Sequence, residues 1–196
     1  QIPTSPLAPE IDNYPVSPND AQAADWDANQ NFAHDDKFLS AALRAEWDIS
    51  ENLALTSLTS YQDYEQSVLQ DRDGLDLDTL GVGNVGTIES WSQELRLSGN
   101  FGRGNWLLGA NVSKDKIEDQ FQLSYSESTI NPTFGVVMTA GTNFAATEVE
   151  TYALFANAEF DLTERLSLQA GARYTDSNRD FAGCSRDAGN GELASL

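Results

Sequence analysis

The stretch "YALFANAEFDLTERLSLQAGARYTD", residues 152–176, alternates apolar and polar side chains on both sides of a five-residue centre, "DLTER". One parity carries Tyr152, Leu154, Ala156, Ala158 and Phe160 before the centre, and Leu166, Leu168, Ala170, Ala172 and Tyr174 after it. A period of two is typical of strands with one covered face, so the stretch predicts a hairpin. Whether protein or lipid covers the apolar face decides the fold.

This hairpin is one copy of a repeating unit. "AEWDISENLAL" from Ala45 aligns with "AEFDLTERLSL" from Ala158, with acidic and leucine residues at matching positions. Between the two copies, Trp91 and Trp106 begin another pair of alternating runs, joined by the glycine-rich "GNFGRGN". A unit of strand, short turn, strand and long loop therefore repeats along the chain.

From these periods we predict six strands, at about 37–48, 53–67, 88–98, 106–118, 147–160 and 166–181. The predicted loops cover 1–36, 70–87 and 119–146, and another loop begins in 182–196. Cross-strand partners in a hairpin share a face, so the turns specify the pairs Trp47 with Leu53, Leu97 with Trp106, and Phe160 with Leu166. Each pair then brings an aromatic side chain close to a short turn.

Aromatic side chains bound the apolar face at both ends: Trp47, Tyr61, Trp91, Trp106, Tyr152, Phe160 and Tyr174. The steps from Tyr152 to Phe160 span about 26 Å at ~3.3 Å per residue, and a tilt of roughly 40° projects this to about 20 Å. That height is close to the ~25 Å apolar band of outer-membrane barrels, which also have aromatic rims and short turns at one end. The sequence therefore predicts an all-β fold, the wall of an antiparallel transmembrane β-barrel.

The other face of the predicted strands is polar. We expect it to line a water-filled lumen with Arg44, Glu46, Glu94, Arg96, Glu159 and Arg173. The alternative is a soluble β-sandwich, in which the apolar face packs on a second sheet. A sandwich requires neither aromatic residues at two fixed heights nor loops that are long at one end only, so the pattern favours the barrel.

Composition narrows the function classes. The 196 residues include 31 acidic and 11 basic ones, for a formal charge of −20. A nucleic-acid partner is not expected, because phosphate contacts need clustered Lys and Arg. No apolar run approaches the ~18 residues of a membrane helix, and the first residues lack the pattern of a signal peptide.

Short motifs indicate no catalysis and no cofactor. "GVGNVG", Gly81–Gly86, matches a dinucleotide-binding pattern, but we expect neither the preceding strand nor the following helix that such a site needs. "SKDK", Ser113–Lys116, lies in a predicted strand without the companion motifs of penicillin-interacting enzymes. His34 is predicted to be an exposed loop residue. Cys184 is predicted to be a loop thiol, the alternative being a disulfide partner outside the chain.

Two features of the loops bear on ligands. Asp71, Asp73, Asp76 and Asp78 form a weak candidate for a Ca²⁺ site, although a solvated loop is the simpler reading. The aromatic loop residues are Tyr14, Trp26, Phe32, Tyr125, Phe134 and Phe144. They could stack on a sugar or an aromatic siderophore, but packing of one loop on another is the stronger interpretation.

The chain resembles the barrel domain of TonB-dependent outer-membrane receptors over nearly its whole length. The resemblance lies in "NLALTSLTSYQDYE", "WSQELRLSGN", "NWLLGANVSKDKIEDQ", the opening stretch and the loop "YPVSPNDAQAADWDAN". It implies a 22-stranded barrel in the outer membrane of a Gram-negative bacterium, with a plug domain in its lumen. It also implies uptake of a scarce small molecule, such as a siderophore or saccharide, with energy supplied through TonB.

The resemblance also implies the partners. Lipid and lipopolysaccharide would surround the barrel, and contacts with TonB and the plug would involve regions outside these residues. A passive porin-like barrel remains an alternative, since it shares the same wall. We expect that the 196 residues alone neither insert nor transport, because six strands leave two unpaired edges.

Overall fold

The computed structural model describes residues 13–16, 18–124 and 139–187. Within these ranges, six antiparallel strands form one sheet in which neighbours in sequence are neighbours in space. The strands are β1 (His34–Ser50), β2 (Leu53–Asp71), β3 (Gly81–Phe101), β4 (Gly104–Ser124), β5 (Ala140–Thr163) and β6 (Leu166–Asp187). No helix in the described ranges is long and apolar enough to cross a membrane. The predicted all-β fold is confirmed.

The sheet is a single layer with almost no hydrophobic core of its own. Among the described residues, Ala153 is the one buried hydrophobic side chain, at 3% exposure. No second sheet lies against the six strands in this part of the chain. The described structure therefore does not support the sandwich alternative, which requires two packed sheets.

The repeated sequence forms the same turn twice. Ser50 pairs with Leu53, and Thr163 pairs with Leu166, so each turn contains only two residues. The pairing shifts by one residue just before each turn, as it does at a β-bulge. In both hairpins the hydroxyl of the last paired residue before the turn accepts a hydrogen bond from the backbone amide two residues later, at 3.4 Å for Ser50 and 3.2 Å for Thr163. The Ser/Thr exchange between the repeats therefore keeps the turn chemistry.

The predicted cross-strand pairs were wrong by two residues. Trp47 pairs with Leu55 instead of Leu53, and Phe160 pairs with Leu168 instead of Leu166. In the middle hairpin, Leu97 pairs with Leu108 instead of Trp106, since Gly102 supplies the positive φ that a two-residue turn uses. The turns are tighter than their composition indicated. Because the error is an even number, every side chain keeps its predicted face.

The strands are also longer than predicted. Residues 81–87 belong to β3, 119–124 to β4, 140–146 to β5 and 182–187 to β6, where loops were expected. Glycine and aspartate composition favours loops, but backbone pairing on both sides holds the glycine-rich start of β3 in the sheet. At the other end of the strands, β1 begins at His34, within the predicted loop 1–36. Residues 1–12, 17, 125–138 and 188–196 lie outside the described ranges.

Candidate functional site

The pairing register gives the sheet two chemically distinct faces. We call them the apolar face, which carries the alternating residues of the opening stretch, and the polar face opposite. The apolar face exposes Leu39, Leu43, Trp47, Trp91, Leu95, Leu108, Tyr152, Leu154, Phe160, Leu166, Leu168 and Tyr174. Paired residues share a face, and the register joins these side chains into a continuous surface across all six strands.

The structure places all seven predicted girdle residues on the apolar face. Trp47, Trp106 and Phe160 lie towards the short turns, and Tyr61, Trp91, Tyr152 and Tyr174 lie towards the other end. We call the second group the upper rim. Above it the same face becomes charged, with Lys37 bonded to Glu65 at 3.2 Å and Lys114 bonded to Glu148 and Glu150.

The upper rim crosses the register rows at an angle. Successive rows of one face are two residues apart along each strand. Tyr61 pairs with Trp91, Tyr152 lies one such row closer to the turns, and Tyr174, the partner of Leu154, lies one row closer again. Two rows equal four residues, about 13 Å, over four strand spacings that total about 19 Å. The rim is therefore inclined by about 35° to the rows, which is the strand tilt of transmembrane barrels.

The apolar face contains one polar group that the sequence analysis did not single out. The Gln93 amide oxygen accepts a hydrogen bond from Thr59 Oγ1 at 2.6 Å, and its nitrogen donates to Ser57 Oγ at 2.9 Å and to the Glu94 carbonyl at 3.2 Å. A polar group next to lipid is costly unless its hydrogen bonds are made within the protein. This network meets that requirement just below the upper rim, next to Trp91 along β3 and in the register row of Tyr152.

The six predicted lumen residues all lie on the polar face. Arg44 is bonded to Glu46, and Arg96 is bonded to Glu94 at 2.5 Å, each pair within one strand. Glu159 accepts a hydrogen bond from the Asn105 amide at 3.3 Å. These residues therefore form a wall of mixed charge on which most charges have a nearby partner.

Arg173, the remaining residue of this set, takes part in an aromatic contact. Its guanidinium carbon lies 5.3 Å from the centre of the Phe155 ring, which is a cation–π distance. The far end of the same ring covers Gly109, where an added Cβ would come within 2.1 Å of the ring. Gly109, Phe155 and Arg173 are neighbours in one register row, so a glycine on one strand makes room for the ring between them.

Two further rows on the polar face were not foreseen. The hydroxyl row consists of Ser60, Ser92, Ser113, Thr151 and Ser177. Within it, Ser60 and Ser92 hydroxyls lie 2.8 Å apart, and those of Thr151 and Ser177 lie 3.0 Å apart. The apolar belt consists of Phe38, Tyr64, Ile88, Ile117 and Phe181, with Thr147 between the last two. Neither row is visible in the sequence, because each strand contributes one residue.

The acidic loop between β2 and β3 uses its carboxylates to hold backbone. Asp71 accepts hydrogen bonds from the amides of Asp73, Gly74 and, at 3.3 Å, Asp27. Asp73 accepts from Leu75 and Leu80, Asp76 from Ala28, and Asp78 from the Ser124 hydroxyl. Among the residues described, no group of three potential ligands could hold a metal ion. The structure therefore does not assemble the Ca²⁺ candidate.

Tyr14 joins this loop to the segment before β1. Its hydroxyl donates to Asp25 at 2.6 Å and accepts from the Asp76 backbone amide at 2.6 Å. Of the other aromatic loop residues, Trp26 and Phe32 lie beside the same loop, Phe144 belongs to β5, and Tyr125 and Phe134 lie outside the described ranges. We call the joined segments 25–32 and 72–80 the loop cluster.

We predict that Tyr14→Phe loosens the loop cluster. The phenylalanine lacks the hydroxyl that connects Asp25 to Asp76, so the amides of Asp76 and Ala28 should exchange hydrogen faster in the intact receptor. Mass-spectrometric hydrogen exchange measures this, and Tyr174→Phe, at the upper rim, is the matched control that should leave both rates unchanged. Equal rates in wild type and Tyr14→Phe would contradict the bridge.

The same bridge is expected to depend on pH. The hydrogen bond to the Asp25 carboxylate raises the pKa of the Tyr14 phenol above its ordinary value of 10.0. Because folding raises this pKa, the stabilisation that the hydrogen bond gives to the folded state is complete below pH 10.0. It is lost as the pH rises through the raised pKa. Deprotonation removes the hydrogen bond to Asp25, while the phenolate still accepts from the Asp76 amide. The Trp26 amide, which donates to Asp25 at 3.1 Å, should therefore show an added increase in exchange only in that alkaline range, and Tyr14→Phe should abolish it.

The remaining motifs take structural positions. Gly81–Gly86 lies inside β3, and Ser113–Lys116 lies inside β4. His34 is the first residue of β1, where its ring nitrogen lies 2.8 Å from Asp36 Oδ2, so the predicted loop position was wrong. Cys184 is an exposed free thiol in β6 instead of a loop residue.

Comparison with known proteins supplies the family. The family model described as TonB dependent receptor-like, beta-barrel matches residues 3–192. No curated protein gives a match to the chain. The match covers nearly all of the sequence, including the six strands and both faces described above. The chain belongs to the TonB-dependent receptor family, as part of its β-barrel.

Proposed function

We propose that the chain is a wall segment of an outer-membrane receptor, with the apolar face in lipid and the polar face in the lumen. One observation carries this orientation: a continuous apolar band, bounded by aromatic side chains and inclined by about 35° to the register rows. A soluble protein would not leave so many large apolar side chains of one face exposed to water. The short turns would then lie in the periplasm.

The surroundings of the wall follow from this orientation. The charged part of the apolar face above the upper rim would meet the head groups of lipopolysaccharide, with Lys37, Lys114 and Lys116 among its cationic positions. The polar face would meet water and the plug domain through the mixed charges of Arg44, Glu94 and Arg96. These contacts need neither catalysis nor a cofactor.

The proposed activity is energy-coupled uptake of a scarce small molecule, such as a siderophore or a saccharide. Family membership supports it, because receptors of this family receive energy from the inner membrane through TonB. Ligand contacts would lie on the outer side of the wall, in the segments predicted as loops at 1–36, 70–87 and 119–146. Within the described residues, the part of these loops nearest the strand ends is the loop cluster.

Uptake and its energy source can be tested together. A strain lacking the gene should grow poorly when iron, a saccharide or an aromatic compound is limiting, and the supplement that restores growth identifies the ligand class. Uptake of that compound should stop when TonB is deleted or when the proton gradient is collapsed. Uptake that continues at the full rate without TonB would contradict the proposal and would indicate a passive pore.

We also predict that the 196 residues do not form a membrane protein alone. Within the described structure β1 pairs only with β2, and β6 pairs only with β5, so both outer edges have unpaired backbone groups. Such edges are not tolerated in lipid. In detergent, heat-modifiable migration should appear for the full-length receptor and not for this chain. A heat-modifiable band of the isolated chain would contradict the prediction.

A further inference from the structure

We propose that the apolar belt binds the apolar part of an uncharged amphipathic ligand in the outer vestibule of the lumen. The belt consists of Phe38, Tyr64, Ile88, Ile117 and Phe181 on the polar face. This inference rests on the proposed function, because it takes the polar face as the lumen wall. It adds the chemical class of the transported molecule and the place where the molecule first contacts the wall.

The belt lies above the part of the wall that lipid surrounds. Tyr64 is three residues beyond Tyr61 of the upper rim, and Phe181 is seven residues beyond Tyr174. At ~3.3 Å per residue these steps correspond to about 10 Å and about 23 Å along the strands. The belt therefore stands in the outer part of the lumen, on the side from which a ligand enters.

The side chains of the belt are accessible. Phe38, Ile88 and Phe181 are 65%, 39% and 67% exposed, and Tyr64 and Ile117 are partly exposed. The rings of Phe38 and Tyr64 contact each other edge to face, with centres 6.4 Å apart. Apolar residues gathered in one row of a mostly polar wall mark a place of interaction.

The rows below the belt are polar but carry little charge. The next row contains Ser40, Gln62, Ser90, Asp115, Val149 and Arg179, and the row after that is the hydroxyl row with Ala42 at its end. Four residues separate the belt from the hydroxyl row, about 13 Å along a strand. A molecule with an apolar ring or chain at one end and hydrogen-bonding groups at the other can contact both rows.

Charge near the belt selects against anions. On the polar face, Asp36 and Asp119 lie one row above the belt and Asp115 lies one row below it. Arg179 is the one arginine or lysine in these two rows of the described wall. An anionic ligand, such as a ferric catecholate, would be repelled here, whereas an uncharged one would not.

Access to the belt is tested with single cysteines. Cys184→Ser removes the native thiol, and Ile88→Cys or Ile117→Cys then places one thiol in the belt. A membrane-impermeant maleimide added to whole cells should label both, and Leu97→Cys in the lipid-facing band should label at least about tenfold more slowly. If the belt thiols are as slow as Leu97→Cys, another part of the receptor covers the belt, and the proposal fails.

Ligand class is tested by calorimetry on the full-length receptor in lipid nanodiscs. The probe is phenyl β-D-glucoside, which is uncharged and has an apolar ring and hydroxyl groups at opposite ends. It should bind, whereas methyl β-D-glucoside and the ferric complex of 2,3-dihydroxybenzoate should not. Ile88→Gln with Ile117→Gln should weaken binding at least about tenfold, and Leu107→Gln, on the polar face outside the belt, should not.

The outcomes are distinct from those of the uptake experiment. Absence of phenyl glucoside binding, tighter binding of the ferric complex, or equal affinity in the belt variants would each overturn the proposal. Heat-modifiable migration of every variant shows that it is folded, and the cysteine labelling gives a second result that does not depend on the glutamine variants. Because binding and labelling need no TonB, a failure of energy-coupled uptake leaves both results unchanged.

Discussion

Leu108→Arg is expected to lower the free energy of unfolding of the intact receptor by about 2–4 kcal/mol, the cost of an arginine near the middle of the lipid band. Leu108 lies on the apolar face between Trp106 and Val112, and its side chain is 50% exposed in the sheet. In lipid the guanidinium loses its hydration, and no acidic residue is its direct cross-strand neighbour, since Leu108 pairs with Leu97 and Ala156. The arginine therefore has no compensating partner next to it.

Leu107→Arg is the matched control for this variant. Leu107 is the preceding residue of the same strand, but it points to the polar face, where it pairs with Ser98 and Asn157. An arginine there reaches water, so we expect a loss below about 1 kcal/mol. Reversible unfolding of the receptor from phospholipid vesicles by guanidinium chloride measures both. Equal losses would contradict the assignment of faces, and a larger loss for Leu107→Arg would reverse it.

Gly109→Ala is expected to cost about 1–3 kcal/mol, the usual cost of overpacking. The new Cβ would lie 2.1 Å from the nearest ring carbon of Phe155, which is far inside contact distance. The ring must leave its place, and it then loses both its contact with Gly109 and its position under the Arg173 guanidinium. The effect should therefore depend on the presence of the ring.

A double-mutant cycle tests that dependence. In a Phe155→Ala background the ring is absent, so Gly109→Ala should cost less than half of what it costs in the wild type. Gly81→Ala is the control for glycine replacement within a strand, because its Cβ would meet its nearest neighbour at an ordinary 3.4 Å. If Gly109→Ala costs the same with and without the ring, the packing of Phe155 on Gly109 does not explain the glycine.

Much of the fold could be predicted because hairpins are local. Alternation with a period of two assigned Tyr152 and Leu154 to one face, and the structure keeps them there. The repeated turns were also recognised, since "DISEN" and "DLTER" have matching chemistry. What composition misjudged was strand length: the glycines of Gly81–Gly86 favour a loop locally, but pairing with β2 and β4 keeps them in the sheet.

The candidate site was predicted only in part. The polar-face positions of residues such as Arg44 and Glu94 followed from parity, yet the cation–π contact between Arg173 and the Phe155 ring did not, because it joins two strands. The acidic loop had the composition of a cation site, but its carboxylates are used by backbone amides, which composition does not reveal. The apolar belt was also missed, because its residues come from different strands and form no pattern along any one of them.

The sequence by itself determined which face each strand residue takes, and through the family pattern it determined the class of protein. Both depend on neighbours along the chain, and an even error in register leaves them unchanged. Only the tertiary structure decided which residues of different strands lie side by side. That depends on two-residue turns and on a one-residue shift before Ser50 and Thr163. The tilt of the aromatic rim, the hydroxyl row and the apolar belt all follow from this register, because each is a row across strands and none is a pattern along one.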